Sequence, residues 1–276
     1  MPFNLPGTLV PLHLIFSPRL VLPSLVVQDI RQLDFIQLRK AGYRGAVFDK
    51  DNCLTIPHKD QLVPELQEAW KECREAFGEG NVLIVSNSAG TKLDPGGIQA
   101  ESVTYHLSVP VLRHKVFKPS YSCISAIRNY FASLPKPVKD NELIVVGDRI
   151  FTDVVLANRM SRRRALPPSN SVEEKKKSHE SSSSLEDGNS QKTIAPRTGP
   201  LSVCTSGVWK REGMVMRYME KSLMQGIQRY VVPDNGLGHT NASQFVRELP
   251  PPPSPEPESR MRRCFGKLWS LLSRSR

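Results

Sequence analysis

The sequence has no pair of cysteines at the CxxC spacing of a zinc site, and its five cysteines cannot all pair within one chain. The sequence therefore argues against a zinc site and a secreted disulfide framework, and it favours reduced thiols in an intracellular compartment. No apolar run reaches the length of about 18 residues that a membrane-spanning helix needs. Prolines interrupt the most apolar segment, residues 1–28, which has no acidic residue and one basic residue, Arg19. It is acid-poor like a transit peptide but lacks the arginines.

Positive charge is concentrated in the second part of the chain, although the net charge of the whole is +11. Residues 1–160 carry 18 basic and 16 acidic residues, whereas residues 161–276 carry 20 and 11. The first part is therefore a near-neutral domain, and the second is a basic extension. Residues 260–276 fit a basic amphipathic helix that contacts an anionic membrane, or a disordered basic tail. Few aromatic residues lie among these bases, which argues against nucleic-acid binding.

Short apolar runs alternate with helical patterns along the first part. The runs are residues 45–48, 81–87, 109–113 and 142–148, and we expect a fifth strand at residues 200–204. Residues 63–77 and 120–134 instead repeat apolar side chains at helical spacing. Continuous apolar runs separated by amphipathic helices are typical of parallel strands that are buried on both faces. The sequence therefore predicts an α/β fold with a Rossmann-like parallel sheet.

Changes in composition divide the chain into four parts. Residues 1–28 are predicted to be an apolar extension that packs on the domain or touches a lipid surface. Residues 29–232 form the predicted domain, interrupted at about residues 162–199 by an insert whose serines and charges indicate disorder. Residues 233–259 form a stiff proline-rich linker, and residues 260–276 form the basic amphipathic tail.

Two groups of residues resemble ligand sets but are expected to have structural roles. A helix predicted at residues 211–227 carries Met214, Met216, Met219 and Met224. Methionines at this spacing more often fill a core than bind a ligand, so we expect them to face the core. The histidines His58, His106 and His114 have no metal-ligand spacing, and we expect them at surface or packing positions.

Polar and charged residues follow the ends of four predicted strands. In chain order they are Asp49 and Asp51, Ser86 and Asn87, Lys118, and Asp148 and Asp153. Taken alone, the DKD sequence more often marks a turn than a site. The carboxyl ends of parallel strands meet at one edge of a sheet, however, so we expect the four motifs to converge on one crevice.

The side chains expected in this crevice suit phosphate chemistry. Several carboxylates at close range repel unless a hard cation neutralises them, and ligation by oxygen alone indicates Mg²⁺. Ser86 and a backbone amide can hold phosphate oxygens, and Lys118 can balance their charge. One carboxylate can attack phosphorus while another gives a proton to the leaving group. Lys115 is an alternative to Lys118, which we favour because a proline follows it.

The motifs DKDNC, SNS, KP and GDRIFTD resemble the four motifs of the haloacid dehalogenase superfamily. The resemblance implies that Asp49 is the nucleophile and Asp51 the acid/base, a pair found in its phosphatases rather than its dehalogenases. It also implies that Ser86 and Asn87 bind phosphate and that Lys118 balances its charge. The ligands that it implies for Mg²⁺ are Asp49, the backbone carbonyl of Asp51, Asp148 and Asp153.

Longer runs narrow this resemblance to one family. The runs AGYRGAVFDKDNCLT, SNSAGT, VPVLRHKVFKPS, VVGDRIFTDVVLANRM and SGVWKREGMVMRYMEK resemble the mitochondrial phosphatidylglycerophosphate phosphatases of fungi and plants. The likeness spans roughly residues 20–232 without the insert. It implies hydrolysis of phosphatidylglycerophosphate to phosphatidylglycerol, which feeds cardiolipin synthesis, on the matrix side of the mitochondrial inner membrane. Cys53 departs from the Thr or Val usual in the superfamily, at a packing position.

The spacing between the motifs excludes a large cap domain. Only 34 residues separate Asp51 from Ser86, and 31 separate Ser86 from Lys118, which leaves room for little more than one helix each. An open site suits a phosphate on a bilayer or a macromolecule. A capless phosphatase of phosphoproteins or nucleic-acid ends is therefore an alternative. An inactive membrane-docking scaffold is another, although the complete motif set disfavours it.

Overall fold

The computed structural model describes residues 17–162, 199–211, 214–231 and 242–248. The strands are β1 (Leu25–Val27), β2 (Gly45–Phe48), β3 (Val82–Ile84), β4 (Leu143–Gly147) and β5 (Leu201–Thr205). The α-helices are α1 (Phe35–Lys40), α2 (Gln67–Phe77), α3 (Ile98–Leu107), α4 (Tyr121–Ala132), α5 (Val155–Arg162) and α6 (Met214–Val231). Short 3₁₀ helices occur at Pro18–Val21, Ile30–Gln32, Pro64–Leu66, Pro95–Gly97, Asp140–Glu142 and Ala242–Phe245, and a π-helix at Ile150–Val154.

The five strands form one sheet in the order β1-β5-β4-β2-β3, and every neighbouring pair is parallel. Strands β2 and β4 lie at its centre and are buried along their whole length. The predicted α/β fold with a Rossmann-like parallel sheet is therefore confirmed. Because β2 and β4 are neighbours, the residues that follow them, Asp49 and Asp148, reach the same edge of the sheet.

Each face of the sheet is covered by its own layer of helices, because successive strand residues point to opposite faces. On one face the ring of Phe48 packs edge-to-face on Trp70 of α2, with ring centroids 5.2 Å apart. On the other face Val47 joins a cluster with Phe131 of α4. The apolar stripes predicted for the two helices are confirmed, and their buried members are Leu66, Trp70, Cys73 and Phe77, and Ile124, Ile127 and Phe131.

The prediction of a strand at residues 109–113 was wrong. This segment makes a single parallel bridge, between Val111 and Ile84 of β3. Two backbone hydrogen bonds flank the bridge, from Ile84 to Pro110 and from Leu112 to Ile84. Proline has no N–H to donate, and the chain then bends so that His114 donates to the carbonyl of Gly90. The segment still runs along the outer side of β3 and leads toward Lys118.

The methionines of α6 were expected to fill the core, and for three of them this is wrong. Met214, Met216 and Met219 are exposed, and only Met224 packs against a buried cluster. The side of α6 that faces the sheet is taken by Arg217 and Glu220, which share one face of the helix. Met216 and Met219 each precede one of them by a single residue and therefore lie about 100° around the helix. The exposed methionines therefore form a surface next to the edge of the sheet.

Two segments outside the predicted domain boundaries belong to the folded unit. Residues 25–27 were assigned to the apolar extension, but they form the edge strand β1, which pairs with β5. Residues 242–248 were assigned to the linker, but Phe245 is buried against Tyr43, with ring centroids 6.0 Å apart. Arg247 fixes this segment through ion pairs of 2.7 Å to Glu72 and 2.8 Å to Asp34.

Several predictions concern residues outside the described ranges. They are the character of residues 1–16, the disorder of the insert at residues 163–198, the polyproline spacer at residues 250–257 and the amphipathic tail at residues 260–276. The division of the chain into four parts stays a prediction. Where the chain is described, no helix combines the length and apolar character needed to cross a bilayer.

The insert joins the sheet at the edge opposite the strand ends that carry the motifs. The described chain stops at the end of α5 and resumes at Gly199, two residues before β5 begins. Gly199 lies directly against Ser161, so close that an added Cβ would overlap the serine side chain. The two ends of the segment are thus neighbours, on the amino-terminal side of the sheet.

The layer packed on the second face sets a test of stability. Phe131→Ala should lower the free energy of unfolding by about 3–5 kcal/mol, because the ring is fully buried and its loss leaves a cavity. Urea unfolding followed by circular dichroism measures the change. Tyr105→Ala is the matched control, since that ring is 82% exposed and its loss should cost little. Equal losses in the two variants would contradict the packing.

Candidate active site

The loop after β2 presents two aspartates because it turns sharply. Asn52 has a φ of 59°, in the left-handed region that asparagine tolerates better than most residues. The amides of Leu54 and Thr55 both donate to the carbonyl of Lys50, at 3.0 Å. The backbone N–H of Asp49 still donates to Val146 of β4, so the first aspartate is held in line with the sheet. The turn expected from DKDN is present, and it aims the two carboxylates in different directions.

Lys118 joins two of the predicted carboxylates. Its ammonium lies 2.8 Å from Oδ1 of Asp49 and 2.7 Å from Oδ1 of Asp153. The side chains of Lys118 and Asp153 are each 3% exposed, so water screens these contacts weakly. Burial alone would lower the pKa of Lys118, but Asp153 and Asp49 raise it above its usual value. The lysine is therefore a permanent cation at this place.

Asp148 completes the group from the end of β4. Its carboxylate is bound by the guanidinium of Arg217 from α6, and the same guanidinium donates to its backbone carbonyl at 3.4 Å. Burial and the nearby Asp49 raise the pKa of Asp148 to about 8, and Arg217 acts in the opposite direction. Burial likewise raises the pKa of Asp49, against the attraction of Lys118. Three carboxylates and two cations, Lys118 and Arg217, therefore lie together at this edge.

The three carboxylates meet the basic requirement of a metal site. One oxygen from each of Asp49, Asp148 and Asp153 lies within 4.8 Å of the others. The donors are all carboxylate oxygens, which hard cations such as Mg²⁺ prefer over softer metals. Burial raises the pKa of Asp49 and of Asp148 because a carboxylate away from water is costly to ionise. A bound cation would lower that cost, so the same burial favours cation binding. The residues present therefore fit a divalent cation.

Asp51 lies outside this group of three and has its own partners. Its Oδ1 is 2.7 Å from Nζ of Lys50, and its Oδ2 accepts from the hydroxyl of Ser88 at 2.9 Å. The amide of His58 also donates to Oδ1, at 3.3 Å. The side chain of Lys50 is completely buried, whereas that of Asp51 is 31% exposed. Asp51 is thus a fixed carboxylate at the open side of the crevice, where a leaving group can be reached.

Ser86 and Asn87 follow β3, and the side chain of Ser86 is linked to Asp51 only through Ser88. The hydroxyl oxygen of Ser86 accepts from the amide of Ser88 at 3.0 Å and is 2.9 Å from the Ser88 hydroxyl. The side chain of Asn87 instead accepts from the backbone N–H of Lys118, at 2.7 Å. This bond fixes the lysine loop, so any contact of Asn87 with phosphate would come from its backbone.

The residues offered as alternatives lie outside the group of carboxylates. Lys115 is exposed and lines a separate surface groove, so Lys118 is the lysine that reaches Asp49. The imidazole of His114 is buried between the carbonyl oxygens of Ser86 and Val116, at 2.9 and 2.8 Å, and is a packing residue. Cys53 is buried in the core beneath the loop, in agreement with a packing position.

Three residues of the site were missed in the sequence. Lys50 lies between the two aspartates, and Ser88 lies two residues after Ser86, so both occur within motifs that were singled out for other members. The signal that could have found them is their position in the motif. Arg217 has no such signal, because its contact with Asp148 spans 69 positions and crosses the insert.

The ion pairs of Lys118 set a test that needs no substrate. Lys118→Met should lower the free energy of unfolding by about 3–5 kcal/mol in the presence of a chelator, because Asp49 and Asp153 lose the cation that neutralises them. Urea unfolding measures the loss. Lys115→Met is the control and should change stability by about 0.5 kcal/mol or less, since Lys115 is exposed. A similar small change in both variants would contradict the buried pairing.

Comparisons with known proteins identify the family of this chain. The family model described as mitochondrial PGP phosphatase, where PGP is phosphatidylglycerophosphate, matches residues 5–164. The mitochondrial phosphatidylglycerophosphatase of Saccharomyces cerevisiae is 38% identical over 157 residues, which are 57% of this chain and 83% of that protein. The probable mitochondrial phosphatidylglycerophosphatase of Schizosaccharomyces pombe is 30% identical over 169 residues, 58% of this chain and 80% of that protein.

A plant-type relative agrees with the fungal ones. Phosphatidylglycerophosphate phosphatase 1, chloroplastic, of Chlamydomonas reinhardtii is 42% identical over 141 residues, 51% of this chain and 50% of that protein. No solved structure matches the chain. The matched region contains the four motifs from DKDNC to GDRIFTD, whereas the run SGVWKREGMVMRYMEK at residues 206–221 lies beyond it. The resemblance is confirmed, and the chain belongs to the mitochondrial PGP phosphatase family.

Proposed function

We propose that this chain is a phosphatase that converts phosphatidylglycerophosphate to phosphatidylglycerol through an aspartyl-phosphate on Asp49. The observation that carries the proposal is the group formed by Asp49, Asp153 and Lys118, buried at an open sheet edge in a member of this family. Relatives from fungi and an alga are named for this same substrate.

We further propose Mg²⁺ as the cofactor, held by the side chains of Asp49, Asp148 and Asp153 and by the backbone carbonyl of Asp51. The all-oxygen donor set and its excess negative charge support this choice. When bound, the cation supplies positive charge that the carboxylates and a phosphate oxygen can share. The contact of Arg217 with Asp148 competes for the same carboxylate, so Arg217 would give up part of this contact to the cation.

In the first half of the reaction, Asp49 acts as the nucleophile. An oxygen of its carboxylate attacks phosphorus, and the bond between phosphorus and the glycerol oxygen breaks. Asp49 is held for this step by the amide of Lys50, which donates to Oδ1 at 2.8 Å, and by Lys118. Lys118 and the hydroxyl of Ser86 are placed to balance and bind the phosphate oxygens during the transfer.

Asp51 handles the proton in both halves of the reaction. It first gives a proton to the glycerol oxygen that leaves, so that the product departs as an alcohol rather than an alkoxide. It then takes a proton from a water molecule, whose oxygen attacks phosphorus, releases inorganic phosphate and regenerates Asp49. Lys50 and Ser88 hold the carboxylate in one orientation, 2.7 and 2.9 Å away, and thereby position it between leaving group and water.

The open crevice supports a lipid rather than a small metabolite. The intervals from Asp51 to Ser86 and from Ser86 to Lys118 contain only α2, β3, α3, two short 3₁₀ helices and loops, so neither interval holds a cap domain. We propose that the chain acts as a peripheral protein on the matrix side of the mitochondrial inner membrane. The mitochondrial names of the two fungal relatives support the organelle.

A comparison of substrates tests the proposed function. Phosphate release is measured from phosphatidylglycerophosphate in micelles, from a phosphopeptide, from a 5′-phosphorylated oligonucleotide and from an aryl phosphate, with and without Mg²⁺. We expect the lipid to be turned over fastest, and only with Mg²⁺. Asp49→Asn should be inactive on every substrate, and Glu68→Gln, an exposed change on α2, should match the wild type. Turnover of the peptide or oligonucleotide alone would contradict the lipid assignment.

The role of Asp51 gives a second test. Asp51→Asn should slow hydrolysis of the lipid by roughly 10²–10⁴-fold, because its glycerol leaving group needs a proton. The first turnover of an aryl phosphate with an acidic phenol should be slowed much less, since that leaving group departs without protonation. Rapid-quench measurements of the first turnover compare the two substrates. Equal slowing of both would rule out Asp51 as the proton donor.

A further inference from the structure

The first turns of α6 expose an unusual density of apolar side chains. Between Met214 and Met219 only Arg217 is buried. The exposed side chains are Met214 (48%), Val215 (79%), Met216 (42%), Tyr218 (76%) and Met219 (53%). Between Lys221 and Arg229 the exposed side chains of the helix are polar. We call these five residues the α6 surface. A contiguous exposed apolar patch that is bordered by polar residues is typical of an interaction site, whereas single exposed apolar residues are common on any surface.

The α6 surface is continuous with the carboxylates. Arg217, which lies between Met216 and Tyr218 in the sequence, contacts Asp148. A cavity of about 480 Å³ runs from Asp148 to the side chains of Met219 and Val26. Its lining combines polar side chains, such as Asp148, with a larger apolar part. The hydroxyl of Thr205, which lines the cavity, is buried and has no hydrogen-bond partner within the described chain. A ligand with a polar head and an apolar body matches this arrangement.

The charge around the α6 surface is positive. Lys210, Arg211 and Lys221 are exposed on either side of it. The acid in the described part of this segment, Glu220, is buried and accepts from the amides of Ile150 and Phe151. The sequence contains one more acid there, Glu212. Exposed methionine, valine and tyrosine between basic residues are the composition of segments that insert shallowly into anionic bilayers.

We propose that the α6 surface docks on an anionic phospholipid bilayer and thereby sets the open crevice against the lipid headgroups. The proposal rests on the proposed function only in that the same bilayer carries the substrate. It concerns residues beyond 5–164, the part matched by the family model, and a different segment from the basic tail at residues 260–276. Docking at α6 brings Asp148 and Asp49 to the headgroup layer without any movement of the sheet.

Binding to vesicles that contain neither substrate nor product tests the docking. Full-length protein is sedimented with vesicles of phosphatidylcholine and phosphatidylserine, or of phosphatidylcholine alone. We expect binding to the anionic vesicles, weakened by salt. The triple variant Val215→Glu, Tyr218→Glu and Met219→Glu should bind roughly tenfold less or weaker still, because charges replace the side chains that enter the bilayer.

Three controls separate docking from a general effect of added charge, from folding and from catalysis. Ile98→Glu with Tyr105→Glu changes two exposed apolar residues of α3, which are 73% and 82% exposed, and should bind vesicles like the wild type. The triple variant should keep the thermal unfolding temperature of the wild type, since its side chains are exposed. Asp49→Asn should lose hydrolysis but bind vesicles normally. Failure of the proposed function therefore appears in hydrolysis, and failure of the docking appears in sedimentation.

Four results would overturn the proposal. Unchanged binding by the triple variant would assign the membrane contact elsewhere, such as the basic tail. Wild-type protein that does not sediment with anionic vesicles would show that the α6 surface is covered in the full chain. A change from dimer to monomer in the triple variant, seen by light scattering, would assign the surface to a second copy. Equal loss of binding in the α3 control would show that any added charge prevents binding.

Discussion

Two carboxylates share one ammonium group in a space from which water is largely excluded, and the rest of the site depends on that sharing. Lys118 lies between Asp49 and Asp153 at hydrogen-bond distance from both. Burying the ammonium or a carboxylate away from water costs free energy, and only close, well-oriented opposite charges offset that cost. The backbone around the group must therefore be rigid, and it is fixed by the sheet on one side and by the bond from Lys118 to Asn87 on the other.

The sheet supplies this rigidity at its most buried place. Strands β2 and β4 are neighbours, so Asp49 and Asp148 lie side by side at the carboxyl edge of the sheet. Helices cover both faces of the sheet, and the site lies at the ends of the strands. The residues that we propose as catalytic lie where the hydrogen-bonded strands end and the chain turns. Arg217 then ties α6 to the same edge, so the apolar first turns of this helix are positioned by the very residue that touches Asp148.

Much of this arrangement could be predicted because it follows from local patterns. Apolar runs identify the strands, and the topology of a parallel sheet brings the residues after them together. The contact between Arg217 and Asp148 depends on how α6 returns across the sheet, which no local pattern records. For the same reason the methionine spacing indicated a helix but not which side faces outward. The edge strand was missed because its three residues lie among prolines, and Phe245 because a single aromatic residue near a proline run gives no periodicity.

The contact of Ser161 with Gly199 means that the length of the segment between them can vary. The two ends of the segment between them are neighbours, so its length can change at a small cost in loop-closure entropy, which grows only with the logarithm of length. The edge with the residues that we propose as catalytic lies on the other side of the sheet, away from this segment. Lineages can therefore lengthen, shorten or replace this segment independently of the enzyme, and a fluorescent protein or affinity tag can be inserted there for imaging or purification.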